Sequence, residues 1–236
     1  MAFPPQDLAC PDPPHCPVVS PVVLPAPLPI VRVPQGTPLY RVYDSTWGYD
    51  EPNPGFGDTR FAPFDTLSGT RVPVMYAGET DTAALLETVF HAVHQSAPRW
   101  IKESHLRKQL LVHLAVPADL HLVDLRDEVL TDAGIGRDQL VSTPSEHYPC
   151  TRLIAQHLHT VYVETGLAQG LVWHSRQAEL ARRPPAVVLM VFSNAYGVAR
   201  GGWQRIGPGT RNLLEGPGRL RVDEIATELD ATIDVD

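Results

Sequence analysis

The order of strand-like and helix-like segments constrains the fold of this chain more than any other feature. Six segments have the apolar and β-branched character of strands: PLYRVYD (38–44), VPVMYAGE (72–79), QLLVHLAVP (109–117), LHLVDL (120–125), GLVWHS (170–175) and AVVLMVFS (186–193). Two longer segments repeat apolar residues at helical spacing: DTAALLETVFHAVHQ (81–95), with Thr80 or Asp81 as its cap, and YPCTRLIAQHLHTVYVETG (148–166), which ends at Gly166. The regular strand–helix alternation of a parallel sheet is missing. The pattern therefore predicts an α+β protein with a mixed or antiparallel β core and a few flanking helices.

Proline marks the first boundary along the chain. Half of the 24 prolines precede Tyr40, and they interrupt the apolar run VVSPVVLPAPLPIV, in which a membrane-spanning helix would lose too many backbone hydrogen bonds. The basic stretch that begins a signal peptide is missing as well. We therefore predict a proline-rich, flexible arm over residues 1–37, a main domain over 38–200, and a C-terminal extension over 201–236 with an acidic tail and a short helix near 223–229. A cytoplasmic protein without a membrane segment is expected.

Charge and cysteine content exclude several classes of function. A formal charge of −8, from 19 Lys and Arg against 27 Asp and Glu, argues against a nucleic-acid surface, which needs a basic footprint. Cys10, Cys16 and Cys150 form an odd set without CxxC spacing, so the sequence predicts neither a disulfide framework nor a zinc site. Phosphate-loop, dinucleotide-binding, HExxH and GxSxG motifs do not occur, and the ten histidines are expected to be solvated or structural. No metal and no bound cofactor are expected.

Glu87 stands out because it lies on or beside the apolar stripe of the first predicted helix. At helical spacing it shares a face with Ala83, Ala84, Phe90 and His91. Burying a carboxylate costs several kcal/mol unless it is paired or hydrogen-bonded. Two interpretations stay open on this ground alone: a boundary residue that pairs with an arginine, and a functional carboxylate.

Two arginines and two tyrosines extend the functional interpretation. Arg41 lies on the first predicted strand, and Arg60 follows a glycine-rich loop. Guanidinium groups are suited to bidentate phosphate recognition and stay charged. With Tyr40 and Tyr76 nearby in the sequence pattern, these residues suggest a pocket for a phosphorylated ligand that contains a ring.

The ordered blocks LYRVYD, GFGDTRF, VMYAGETDTAALLETVFH, LHLVDL, YPCTRLIAQHLH and GLVWHS resemble the RES-domain family, the toxin partners of Xre-type antitoxins. The resemblance spans roughly Leu39 to Ser193 and makes 38–200 the RES catalytic domain. It implies an ADP-ribosyltransferase-like fold and cleavage of NAD at the bond between nicotinamide and ribose, by phosphorolysis or hydrolysis. If the reaction is phosphorolysis, inorganic phosphate is the co-substrate.

The resemblance also implies roles for individual residues. Glu87 matches the family glutamate and would stabilise an oxocarbenium-like ribose. Arg41 and Arg60 match the family arginines and would hold the pyrophosphate or an attacking phosphate, although GDTRFAP replaces the commoner GGRWN around Arg60. Tyr76 would stack on the nicotinamide ring, and Ser175 would bond a phosphate or ribose oxygen.

Structural interpretations also stay open for two of these residues. Ser175 could be a hydroxyl at the end of a strand that bonds to the backbone, and Tyr76 could be a residue that only packs in the core. The expected partners are NAD and an Xre-type antitoxin, without direct nucleic-acid or membrane contact, and a homodimer stays open. The alternative functions are a protein mono-ADP-ribosyltransferase that uses the same site, and a non-catalytic module that binds a phosphorylated ligand or a protein.

Overall fold

The structure is a computed structural model that describes residues 7–21, 24, 27–95, 97–194, 202–207 and 210–235. Within these ranges the strands are β1 Ile30–Val33, β2 Pro38–Asp44, β3 Val74–Gly78, β4 Trp100–Lys102, β5 Gln109–Ala115, β6 Leu120–Asp124, β7 Gly170–His174, β8 Val187–Phe192, β9 Gln204–Arg205, β10 Arg211–Asn212 and β11 Thr232–Asp234. The α-helices are α1 Asp81–Leu86, α2 Asp127–Asp132, α3 Tyr148–Leu158, α4 Arg176–Leu180 and α5 Gly216–Glu228.

A mixed, mostly antiparallel sheet forms the centre of the fold. Its strand order is β1-β6-β7-β8-β3-β2-β5-β10, and β9 also pairs with β5. Within this sheet the pairing of β6 with β7 is parallel, since α2 and α3 lie between these strands in the chain; its other pairs are antiparallel. A separate parallel pair joins β11 to β4. The predicted α+β class with a mixed β core is confirmed.

The helices pack on the sheet through separate apolar clusters. Ile154 and Leu158 of α3 lie in one cluster with Phe61, Phe64 and Trp173, all of them buried. A second cluster joins the region after α1 to the C-terminal helix α5 through buried leucine, phenylalanine, valine and isoleucine side chains. At about 25 cal/mol per Å² of apolar surface removed from water, such clusters are the main source of stability.

The described parts of the predicted arm contact the domain. Leu24 and Leu28 are buried in the cluster of α3, and the backbone N–H of Leu28 donates to the hydroxyl of Tyr162. Strand β1, which the sequence analysis placed inside the arm, pairs with β6 along its length. Every helix among the described residues is too short or too polar to cross a bilayer.

Two helix predictions need correction. The first helix, predicted over 81–95, ends at Leu86, because the N–H of Phe90 bonds to the carbonyl of Leu85 in a wider turn, and Glu87 becomes its C-cap. Thr80 caps its start as predicted, accepting from the N–H of Ala83 at 3.0 Å. The C-terminal helix is longer than predicted and begins at Gly216. The helix that ends before Gly166 is confirmed as α3 with one π-helical turn, His159–Val163.

Candidate functional site

A cavity of about 580 Å³ opens beside β2 and β3, a size typical of small-molecule sites. Its described lining comes from β2 and β3, the loop over residues 46–62, the turn after α1, and the start of α3. Single residues of β5, β7 and α4 complete it. Arg41, Arg60, Tyr76 and Glu87 all belong to this lining. The fold thus brings four of the six predicted site residues to one cavity.

Glu87 owes its position to a hydroxyl from another element. The hydroxyl of Ser175 donates to Oε1 of Glu87 and accepts from the backbone N–H of Ala178 at 3.2 Å, as the N-cap of α4. Ser175 is 1% exposed and lies outside the described lining of the cavity. The hydroxyl therefore orients the carboxylate in this structure. A contact between Ser175 and a substrate oxygen stays a prediction.

Arg41 is buried on β2 and held by the loop that follows the strand. Its Nη1 donates to the carbonyl of Tyr49 at 2.5 Å and its Nη2 to the carbonyl of Glu51 at 2.6 Å. Burial lowers the pKa of Arg41 to about 10, although nearby Tyr43, Asp50 and Glu51 act to raise it. The guanidinium is still cationic at neutral pH. It keeps N–H donors beyond the two bonded to carbonyls, since the group has five.

Arg60 is fixed by the segment before α3. Its Nη1 donates to the carbonyl of Thr143 at 2.7 Å, and its guanidinium carbon lies 5.1 Å from the ring centre of Tyr148. Burial lowers the pKa of Arg60, while the charge of Glu87 acts in the opposite direction. The cation and the carboxylate are therefore electrostatically coupled across the cavity.

Helix α3 clamps the loop that carries Arg60. The hydroxyl of Thr151 donates to the carbonyl of Arg60, and Nε of Arg152 donates to the carbonyl of Thr59 at 3.0 Å. Arg152 also forms an ion pair with Asp58. Two side chains of α3 thus bind the loop at Asp58, Thr59 and Arg60 and fix it around the arginine.

The two predicted tyrosines have different surroundings. Tyr76 is in the lining, its hydroxyl lies 2.8 Å from that of Thr59, and its ring meets Trp173 edge-on at 6.1 Å. Burial raises the pKa of Tyr76, so the phenol stays protonated. Tyr40 is outside the described lining and stacks on His113 at 4.3 Å between ring centres. Its role as a substrate contact stays a prediction.

Several lining residues were missed by the sequence analysis. Gln177 is 4% exposed, and its Oε1 has no hydrogen-bond partner among the residues described. His91 lies near Glu87, and burial lowers its pKa, which keeps the ring neutral at neutral pH. Tyr148 and Trp173 add aromatic surface. No local motif marks these residues; only the spacing of His91 four residues after Glu87 was a usable signal.

The other carboxylates of the lining accept hydrogen bonds from, or form ion pairs with, nearby groups. Asp44 accepts from the N–H of Thr46 at 2.7 Å, and Glu51 accepts from the N–H of Gly48 at 2.8 Å. Asp58 is paired with Arg152. These bonds direct the three carboxylates to groups other than the guanidinium groups of Arg41 and Arg60, while the charge of Glu51 still acts on Arg41.

A mixed, mostly antiparallel sheet with a carboxylate and two buried arginines in one cavity defines an α+β protein with a candidate small-molecule site. The model of the RES domain matches residues 29–199, which is more than half of the chain. The chain belongs to the RES domain family.

Comparison with solved structures agrees with this assignment at the level of the fold. A chain in the crystal structure of the M. tuberculosis MbcT-MbcA toxin-antitoxin complex superposes with a TM-score of 0.53 at 15% sequence identity. The match covers 81% of this chain and 90% of that chain. A comparison with curated proteins gives no match.

Proposed function

We propose that this protein consumes NAD by breaking the bond between nicotinamide and ribose. The observation that carries the proposal is the placement of Glu87 in one cavity with Arg41 and Arg60. The guanidinium groups of these arginines bind carbonyl oxygens and form no ion pair within the described part of the chain. Buried cations of this kind favour an anionic ligand, and a pyrophosphate supplies that charge.

The chemistry follows from the residues around the bond that breaks. When the bond from ribose C1 to the nicotinamide nitrogen breaks, the electron pair goes to the ring nitrogen and nicotinamide leaves neutral, so no general acid is needed. The positive charge that develops on the ribose is stabilised by the carboxylate of Glu87, which Ser175 holds in place. An oxygen of phosphate or water then forms a bond to C1, and an attacking water releases one proton to the solvent. Arg41 and Arg60 hold the pyrophosphate or the attacking phosphate.

The biological role follows from family membership and the structural neighbour. The RES family match and the toxin-antitoxin complex that contains the neighbour support a toxin that is neutralised by a bound antitoxin, which we assign to the Xre type. An antitoxin that covers the opening of the cavity would exclude NAD from Glu87. Co-expression of this chain with the antitoxin should therefore restore growth that the chain alone arrests.

The proposed activity is tested by release of nicotinamide from NAD, with and without inorganic phosphate, measured chromatographically on the purified chain. Release that depends on phosphate indicates phosphorolysis, and release without phosphate indicates hydrolysis. Release that requires an added protein acceptor would replace the proposal with protein ADP-ribosylation. A folded protein that releases no nicotinamide in any of these conditions would contradict the proposal.

The matched variants are Glu87→Gln and Glu128→Gln. Glu87→Gln removes the charge at nearly constant shape and is expected to lower kcat by about 10²-fold or more, because the developing ribose cation loses its counter-charge. Glu128 is an exposed carboxylate on α2, so Glu128→Gln should keep full activity. Equal activity in the two variants would remove Glu87 from the mechanism.

A further inference from the structure

The fold brings the three cysteines of the chain to one place, outside the described lining of the candidate site. The sulfur atoms of Cys10, Cys16 and Cys150 and one ring nitrogen of His147 all lie within 4.8 Å of one another. The two cysteines of the arm flank the short 3-10 turn Pro13–His15. His147 and Cys150 are three residues apart at the start of α3, and both are buried.

The distances fit coordination of a metal better than a disulfide. The sulfur atoms of Cys16 and Cys150 are 3.6 Å apart, whereas a disulfide needs about 2.05 Å. In a tetrahedral zinc site with Zn–S of about 2.3 Å, two sulfur ligands lie about 3.8 Å apart. The observed separation agrees with this value.

The donor set is that of a structural zinc site. Three thiolates and one imidazole form a Cys₃His set, and soft thiolate ligands favour zinc over magnesium or calcium. Nδ1 of His147 is buried and has no hydrogen-bond partner in the described part of the chain. Buried polar atoms of this kind usually have a partner, which a metal ion at the cluster could supply. Free cysteines also pack as small apolar residues, but packing gives no reason for three of them to meet a histidine.

We propose that Cys10, Cys16, His147 and Cys150 bind one Zn²⁺ that fastens the proline-rich arm to the start of α3. No zinc site was expected from the sequence, because the three cysteines form an odd set without CxxC spacing. The two halves of the cluster lie more than a hundred residues apart, so no local spacing marks it. The proposal does not depend on the reaction at Glu87.

The position of the zinc site suggests what it does for the protein. Cys150 lies between Tyr148, which contacts Arg60, and Thr151 and Arg152, which hold the loop before it. The metal would therefore fix the start of the helix that fixes Arg60. Metal binding stabilises the folded chain because the unfolded chain has no assembled site.

Metal analysis of the full chain tests the proposal. The protein is purified with a reductant, and its metals are measured by inductively coupled plasma mass spectrometry. We expect about one zinc ion per chain, as a single four-ligand site requires. Chelation should lower the melting temperature, and added zinc should restore it. Replacing zinc by Co²⁺ should give the visible absorption bands of a tetrahedral site with thiolate ligands.

Two histidine variants serve as the matched pair. His147→Gln should lose the metal, whereas His15→Gln should keep it, since His15 is exposed beside Cys16 and bonds to Asp12 instead. Cys16→Ser should behave like His147→Gln. If these variants fail to fold, the metal content of the wild-type chain still decides.

Three results would overturn the proposal. The first is a reduced, folded protein that binds neither Zn²⁺ nor Co²⁺ after exposure to each ion alone. The second is a disulfide between Cys16 and Cys150 in a folded protein that takes up no zinc once reduced. The third is loss of zinc from His15→Gln with full retention in His147→Gln.

Discussion

Arg41 and Arg60 each combine two roles at the scale of the single residue. Each guanidinium lines the cavity, and each also binds carbonyls of a neighbouring segment, at Tyr49 and Glu51 for the first and at Thr143 for the second. A lysine could keep the charge but not the planar pair of donors. The arginines are therefore both parts of the scaffold and candidates for the ligand site.

Gln177 is the residue at which we expect stability and binding to change in opposite directions. Gln177→Met keeps the length of the side chain and removes the buried Oε1 that has no partner among the described residues. Removing such an atom should raise the free energy of unfolding by about 1 kcal/mol. The same change should weaken NAD binding about tenfold, or about 1.4 kcal/mol, if a substrate donor normally reaches that oxygen.

Denaturant unfolding and calorimetric titration with NAD measure the two effects. Gln156→Met is the matched control, because Nε2 of Gln156 donates to the carbonyl of Asp65 at 2.6 Å and its loss should destabilise the protein. If Gln177→Met destabilises the chain as much as Gln156→Met does and leaves NAD affinity unchanged, Gln177 is a structural residue.

The sequence indicated the types of residue at the site more readily than their surroundings. Glu87, Arg41 and Tyr76 could be selected because charged or aromatic groups stood in apolar segments, and Arg60 because it follows a glycine-rich loop. The structure places all four in one lining. Gln177 could not be selected, since a single glutamine after a strand carries no signal. Its importance arises from burial, which depends on contacts between distant segments.

At the scale of elements, two helix caps affect the site differently. Ser175 caps α4 and donates to Glu87, whereas Thr80 caps α1 through the N–H of Ala83. Losing either cap should cost about 1 kcal/mol of stability. Ser175→Ala should also lower kcat, by about tenfold, with little change in KM, because Glu87 loses the donor that orients it.

Steady-state kinetics and thermal unfolding of Ser175→Ala and Thr80→Ala make the comparison. Similar losses of stability with a loss of kcat confined to Ser175→Ala would support the orienting role. An equal fall of kcat in both variants would point instead to general loosening of the helices. Unchanged kcat in Ser175→Ala would remove the hydroxyl from the mechanism.

Strands were easier to predict than the first helix. The six predicted strands correspond to β2, β3, β5, β6, β7 and β8, because alternating and buried apolar runs are local signals. The helical spacing of 81–95 was equally clear, yet the helix stops at Leu86. Phe90 and Val93 lie after the end of the helix and are still buried in the apolar cluster that includes α5. The spacing of apolar residues therefore predicted which side chains are buried, but not that the backbone is helical.

At the scale of the whole molecule, strand order was beyond the sequence analysis. Neighbours such as β8 and β3 are more than a hundred residues apart in the chain, and their pairing is set by sheet-wide packing. The cluster of Cys10, Cys16, His147 and Cys150 escaped prediction for the same reason. In both cases the missing information is the contact between distant segments.

Partly or fully buried histidines give the whole molecule a predicted sensitivity to acid. Burial lowers the pKa of His91, His94, His113, His159 and His174. His159 is the most enclosed of these, at 2% exposed, with its ring edge-on to Phe64 and Phe192. Glu164 lies 3.5 Å from its Nδ1, but that carboxylate is 45% exposed, so solvent screens the pair.

The sign of the effect follows from proton uptake. Above a pH of about 6.5, the ordinary pKa of histidine, these rings are neutral in both the folded and the unfolded chain. As the pH falls through that value towards the lowered pKa of the folded state, the unfolded chain binds protons that the folded chain does not. The free energy of unfolding therefore decreases on acidification, in a window above the range in which most carboxylates titrate.

Melting temperatures at about pH 7.5 and pH 5.5, on either side of the ordinary histidine pKa, measure this loss. His159→Phe keeps a ring of similar size between Phe64 and Phe192 and removes the titrating group, so its melting temperature should fall less between the two pH values than that of the wild type. Comparing each protein with itself cancels any change in baseline stability, including loss of the contact with Asn194. His121→Gln alters an exposed histidine and should retain the wild-type dependence. An identical fall in His159→Phe and the wild type would mean that His159 does not contribute to acid sensitivity.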